Sequence, residues 1–176
     1  MTTDLTSAPV PPLRPDDHVR GPADAPLVIL YADFTCPRCA LTVERLAGRP
    51  LRVCFRHFAL GTRHPRALPA ARAAEAAALQ GRFWEFHDAL YADPGRLDDP
   101  HLWARCERLG IDVDRFEADR RGEAVAERVA RDVREAMRGG AATTPALLLP
   151  DGTLHQGAPD AALLAAIDAL RPGPGG

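Results

Sequence analysis

Cys36 and Cys39 are separated by Pro37 and Arg38, so two thiols stand about one helical turn apart if this segment is helical. That spacing suits two chemistries: making and breaking a small disulfide, or sharing a metal ion. A metal site needs two further ligands, and the candidates Cys54, Cys106, His57 and His64 form no second close pair. Cys54 and Cys106 sit singly and are read as small buried hydrophobes. The redox reading needs only the local surroundings. At a helix N-terminus the free N–H groups favour a thiolate at Cys36, the outward end, while Cys39 is more shielded. Arg38, permanently charged, adds to that bias. Cys36 is therefore the expected nucleophile, with a pKa well below the free value of about 8.5. Cys39 is the resolving thiol, and Pro37 and Arg38 tune the pair.

The elements that must position this pair are legible around it. Leu27 to Tyr31 is a short aliphatic run bounded by Pro26 and Asp33, which predicts a buried strand leading directly into the cysteines. Its alternation puts Leu27, Ile29, Tyr31 and Asp33 on one face and Val28, Leu30, Ala32 and Phe34 on the other. Thr35 is a suitable N-cap and Pro37 suits a first turn, so a helix should carry Cys39, Leu41, Val43 and Leu46 as far as Gly48 and Pro50. Leu51 to Phe58 alternates as a second strand. From about 65 to 138 the pattern is helical throughout. One helix runs over about Ala67–Gln80, with Pro69 tolerated in its first turn. A second carries Phe83, Phe86, Leu90 and Tyr91, a third opens after Asp98 and Asp99, and a fourth near Asp112. The last aligns Val125, Val129, Val133 and Met137 before Gly139 and Gly140. A hairpin follows, turning at Pro150, Asp151 and Gly152, and then a closing helix from about Asp160 to Leu170.

The chain of 176 residues, 46% hydrophobic and 26% charged, has the balance of one globular domain. Its 22 basic residues, all arginine, face 24 acidic ones, and the net charge of -2 supplies no field for nucleic acid or an anionic membrane surface. The arginine bias is read as coding composition. No apolar run reaches the length of a membrane span, and the N-terminus lacks the basic and apolar regions of a signal peptide. The expected compartment is the cytoplasm, where a cysteine pair is more often metal-binding or redox-active than structural. Residues 1–17 are expected to be a flexible arm, 18–171 the domain with its helical insertion at about 65–138, and 172–176 a tail.

Several segments together carry a family likeness. Gly21 to Pro26, Leu27 to Cys39, Phe55 to Phe58, Gln80 to His87, and Thr144 with Pro145 resemble, in order, the DsbA-like branch of the thioredoxin-fold thiol-disulfide oxidoreductases. The resemblance spans about residues 18 to 170. It implies an α/β thioredoxin-like fold with an inserted α-helical subdomain, and a cis-proline loop at Thr144 and Pro145 against the active-site disulfide. There the backbone of Thr144 would pair with an extended substrate segment. One departure bears on mechanism: many relatives carry a buried acid six residues before the first active-site cysteine, where this chain has Leu30. Asp33 starts from the opposite strand face, so it is expected to orient the active-site turn or to be a solvated or capping carboxylate. Deprotonation of Cys39 is then expected to be slower or to rely on water. His57 and His87 are read as satisfied structural histidines, and Phe83, Trp84, Phe86 and Tyr91 as packing between insert and sheet.

The implied activity is thiol-disulfide exchange through a mixed disulfide on Cys36 that Cys39 resolves. Substrates would be protein or low-molecular-weight thiols and disulfides, with an unidentified electron donor or acceptor. No cofactor is implied beyond the Cys36–Cys39 disulfide, with glutathione a candidate partner, and no metal. A glutathione-dependent transferase or isomerase on a related fold competes, although such relatives usually lack the second cysteine. A non-enzymatic redox-sensing or partner-binding module is the other alternative.

Overall fold

The computed structural model describes residues 12–170. Five strands, β1 (His18–Arg20), β2 (Leu27–Ala32), β3 (Arg52–His57), β4 (Ala146–Leu148) and β5 (Leu154–Gln156), form one sheet in the order β1-β3-β2-β4-β5. Only β2 and β3 are parallel, joined by the crossover helix α1 (Pro37–Leu46). The other neighbours run antiparallel, and β4 and β5 are the expected hairpin. Helices α2 (Ala67–Ala78), α3 (Phe83–Ala92), α4 (Asp99–Leu109), α5 (Val113–Arg121) and α6 (Glu123–Arg138) lie between β3 and β4 in the chain, and α7 (Ala161–Asp168) closes it. The architecture is a mixed α/β sheet with thioredoxin-like connectivity and an inserted helical stretch.

Strand alternation divides the core as the sequence predicts. Val28, Leu30, Ala32 and Phe34 face a large cluster with Cys39 and Leu46 of α1, Phe83, Phe86 and Leu90 of α3, and Ile167 of α7. Ile29 and Tyr31 face the opposite cluster with Cys54, Ala136 and Leu148. Cys54 and Cys106 are fully buried and free. Alanine carries the packing of α2: eight of its twelve residues are buried, and seven of those are alanine. Side chains this small let neighbouring helices approach closely at little entropic cost.

Three expectations need correction, and one strand lies where none was expected. Thr35 does not cap α1; the N-cap is Cys36, without a side-chain cap bond, because Asp33 Oδ1 has already accepted from both the amide and the hydroxyl of Thr35. Met137 is not on the buried stripe of α6 and is 61% exposed. A strict four-residue interval advances more than one full turn each time, so the contact line drifts, and the buried set is Val125, Val129, Asp132 and Ala136. Residues 12–17, the described part of the expected flexible arm, are tied down: Asp17 accepts from Arg56 at 2.7 and 3.1 Å, and Arg14 reaches Asp132 at 2.6 Å. Charge pairing, with Leu13 alone packed against the second core cluster, fixes this segment, so a search for hydrophobic period passes over it. Finally, His18–Arg20 is a strand, too short and polar to show a period, which pairs with Val53–Phe55. Residues 1–11 of the arm and the tail at 172–176 lie outside the described residues.

Candidate active site

β2 and the start of α1 fix the two thiols at different depths. After Phe34 the chain turns so that the Cys36 amide donates to the Asp33 carbonyl at 3.1 Å, and Pro37 occupies the first helical turn, where its missing N–H costs nothing. Cys36 is therefore at the helix mouth and half-buried, while Cys39, one turn on, is fully buried against the β2 face. Asp33 organises the turn: its carboxylate accepts from the amide of Thr35 at 2.8 Å and the hydroxyl at 2.7 Å, and its own amide donates to Cys39 Sγ at 3.5 Å. Of the two roles open to Asp33 in the sequence, this geometry assigns the orienting one.

The loop ahead of β4 meets the pair from the other side. The Thr144–Pro145 peptide is cis, and Cys36 Sγ lies 3.5 Å from the Thr144 carbonyl oxygen, within reach of it as a thiol. Arg38 reaches the same carbonyl. Its Nη2 donates to Thr143 Oγ1 at 3.1 Å and the Thr144 carbonyl at 3.4 Å, so the guanidinium bridges α1 to the loop. Thr143 is a contact that the sequence reading omitted; adjacent hydroxyl residues before a proline carry no signal that one will meet an arginine more than a hundred positions away.

The electrostatics separate the thiols further. Hydrogen bonding from the Cys39 thiol, with the Thr144 side chain and the backbone amides of Cys39 and Arg38, brings Cys36 down to about 5 against the opposing effect of burial. Burial, reinforced by the neighbouring Cys36, pushes Cys39 well above the ordinary thiol range. Burial likewise raises Cys54 to about 12 and Cys106 to about 11, as expected of inert core thiols. At neutral pH the site thus presents one half-buried thiolate, hydrogen-bonded by a fully buried thiol, beside a carbonyl edge. That arrangement can attack a disulfide sulfur and then close on itself.

The two histidines differ from each other. His57 Nε2 donates to Glu75 Oε1 at 2.7 Å, and His18 Nε2 donates to the same oxygen at 2.8 Å. His87 Nδ1 donates to Asp88 Oδ1 at 2.7 Å. Each buried ring keeps a second nitrogen without a partner among the described residues, so neither is fully satisfied as the sequence reading assumed. Trp84, His87 and Tyr91 of α3 line a cavity of about 850 Å³ with Leu30, Phe55 and the outer residues Pro37, Ala40 and Leu41 of α1. The aromatic residues of α3 do pack insert against sheet, and they also wall an open space.

Comparison with known proteins bears on this geometry. A family model described as DSBA-like thioredoxin domain matches residues 50–167. A thioredoxin-like oxidoreductase of Silicibacter pomeroyi superposes with a TM-score of 0.77 at 24% identity, covering 88% of this chain and 91% of that one. The thiol-disulfide exchange protein alpha-DsbA2 of Wolbachia pipientis does so with a TM-score of 0.72 at 22% identity, covering 85% and 84%. Among curated proteins, the Na(+)/H(+) antiporter NhaA 3 of Salinispora tropica is 44% identical over 156 residues, which is 83% of this chain and 23% of that protein. The antiporter NhaA of Herminiimonas arsenicoxydans is 39% identical over 174 residues, 94% of this chain and 27% of its own length. The chain spans about a quarter of these curated relatives.

Proposed function

Since the chain belongs to the DSBA-like thioredoxin domain family, we propose that it is a thiol-disulfide oxidoreductase whose reactive pair is Cys36 and Cys39. The observation that carries this reading is the asymmetry of the pair: Cys36 is half-exposed and its pKa lowered to about 5, whereas Cys39 is buried and its thiol held protonated. The Cys36 thiolate attacks one sulfur of a substrate disulfide, forming a mixed disulfide and releasing a substrate thiolate. Cys39 then attacks Cys36 Sγ, closing the protein disulfide and releasing the second substrate thiol; run backwards, the same steps oxidise a dithiol. Pro37 sets the helix start, Arg38 fixes the spacing between α1 and the Thr143–Pro145 loop, and the Thr144 backbone offers an edge for an extended substrate. Substrates are protein or small thiols and disulfides. A stabilised Cys36 thiolate makes the couple oxidising, whereas a cytoplasmic thiol pool would hold the pair reduced.

The test is turnover of insulin disulfides by a dithiol. Activity should vanish in Cys36→Ser, and Cys39→Ser should accumulate a mixed disulfide visible by mass spectrometry. Full insulin reduction by Cys36→Ser would exclude this pair as the reactive centre. The matches to proteins named as antiporters favour one second reading: a redox-sensing module whose Cys36–Cys39 disulfide alters a docking face. That reading predicts no exchange with any small disulfide at catalytic rates.

A further inference from the structure

Arg72 of α2 stands apart from the other arginines around it. It forms no ion pair or hydrogen bond with any described residue: its Nε is closed off, whereas its two Nη groups keep accessible surface. With Arg120 and Arg121 of α5 it lines a cavity of about 510 Å³. The acids nearby are already taken. Glu117 accepts from Arg120 at 2.6 and 3.0 Å and from Arg121 at 2.6 Å. Asp99 pairs with Arg120 at 3.0 Å and with Arg66 at 3.2 Å. Asp119, in the last turn of α5, pairs with Arg115 at 3.5 Å. Leaving that last pair aside, four guanidiniums, those of Arg66, Arg72, Arg120 and Arg121, stand against the two carboxylates of Asp99 and Glu117.

Like charges gathered around one space repel one another, and an anion seated between them offsets that cost. Arginine is the side chain best suited to the task, because its planar fork of N–H donors matches the oxygens of a phosphate or carboxylate. With its Nε shut in, Arg72 has only its Nη edge to offer, and that edge opens on the cavity. The opposite wall is of another kind: Pro65, Leu68 and Pro69 give it an apolar surface. The space is also larger than a bare inorganic anion needs, since pockets for small molecules run from about 300 to 1,000 Å³.

We propose that this cavity is a binding site for a small organic phosphate, its head on Arg72, Arg120 and Arg121 and its apolar body against Leu68, Pro65 and Pro69. The excess of two positive charges matches a phosphomonoester, which carries about −1.5 to −2 at pH 7, better than a single carboxylate. Arg72 supplies the one guanidinium with no competing acid, so it contributes most of the binding. Arg120 and Arg121 keep their bonds to Glu117 and contribute mainly by charge. None of these residues belongs to the thiol pair or to the Thr143–Pro145 loop, so the site is separate from the exchange reaction and does not depend on it.

The experiment titrates the protein with phenyl phosphate by calorimetry at constant ionic strength, with inorganic phosphate and benzyl alcohol as the head and the body alone. Phenyl phosphate should bind once per chain with a Kd of about 1 mM or below, more tightly than either fragment. Arg72→Gln should weaken it at least about tenfold, as loss of a charge-assisted hydrogen bond does. Arg121→Gln should weaken it about threefold, the scale of an exposed ion pair. The Arg121 side chain is 72% exposed, so this second variant tests the site without threatening the fold. Binding to the wild type should also weaken as pH falls from 7.5 to 5, because the phosphate takes up its second proton at about pH 6. Both variants should exchange disulfides at the wild-type rate. No saturation by about 10 mM phenyl phosphate, unchanged affinity in both variants, or benzyl alcohol binding as tightly as phenyl phosphate would overturn the site. Binding that persists undiminished in Arg72→Gln while Arg121→Gln abolishes it would overturn the role given to Arg72.

Discussion

The difference between Cys36 and Cys39 originates in three residues of turn geometry. Because Asp33 uses its carboxylate on Thr35, the chain enters α1 with Cys36 as the bare N-cap, its sulfur at the positive end of the helix and one turn outside Cys39. Thiol absorbance near 240 nm in the reduced protein should therefore show one titration with a midpoint at about 5, missing in Cys36→Ser. A midpoint at the ordinary thiol value would refute the assignment. The same shift sets a stability dependence whose sign is determined. The folded pKa lies below the unfolded value of about 8.5, so the stabilisation by the thiolate is complete above the latter and lost as pH falls through about 5. Reduced wild type should gain stability over Cys36→Ser as pH rises from 5 to 8, measured by urea midpoints.

At the scale of elements, what was legible tracks how local the cause is. The strand β2, the helix α1 and the helices of the insert announce themselves through period, caps and proline, all within a few residues. Asp112, for example, caps α5 by accepting from the Arg115 amide at 2.8 Å, a signal three residues long. The reactive cysteines were equally plain, because their chemistry needs only the helix start. Long-range polar geometry was not: neither the Arg38 bridge to Thr143 nor the bare Nε2 of His87 leaves a mark on the sequence. Arg105 of α4 belongs to the same class. It is 2% exposed and donates to the carbonyls of Ala89, Asp93, Arg96 and His101 at 2.6 to 3.3 Å, binding the end of α3 and the following loop to α4. Arg105→Met should leave several carbonyls unpaired and destabilise the fold by about 3 kcal/mol, at up to a few kcal/mol per orphaned group. Denaturant melts read this directly, and a loss below about 0.5 kcal/mol, the scale of a neutral surface change, would show that solvent replaces the guanidinium without cost.

Across the whole molecule, the helical insert is held to the sheet by a buried ionic cluster as well as by the apolar cores. Asp132 of α6, with no exposed side chain, accepts from the His57 backbone amide at 3.0 Å, from Arg14 at 2.6 Å and from Arg128 at 2.6 Å. Arg56 of β3 and Asp17 form a second fully buried pair alongside. Burial opposes ionisation of Asp17, yet hydrogen bonds from Arg56 and Arg14 hold its carboxyl well below the usual range. Three parts of the chain that are distant in sequence, residues 14–17, β3 and α6, thus converge on acids that would be costly to bury alone. Removing one partner leaves the opposite charges stranded, so Asp132→Ala should cost about 3 to 5 kcal/mol, more than any surface ion pair here. The accompanying sign of uncoupling is local. The His57 amide loses its acceptor, so its hydrogen exchange should accelerate together with that of α6, while β4 and β5, which do not touch the cluster, exchange as before. Uniform acceleration across the sheet would mean that Asp132 supports the domain as a whole rather than the joint between insert and sheet.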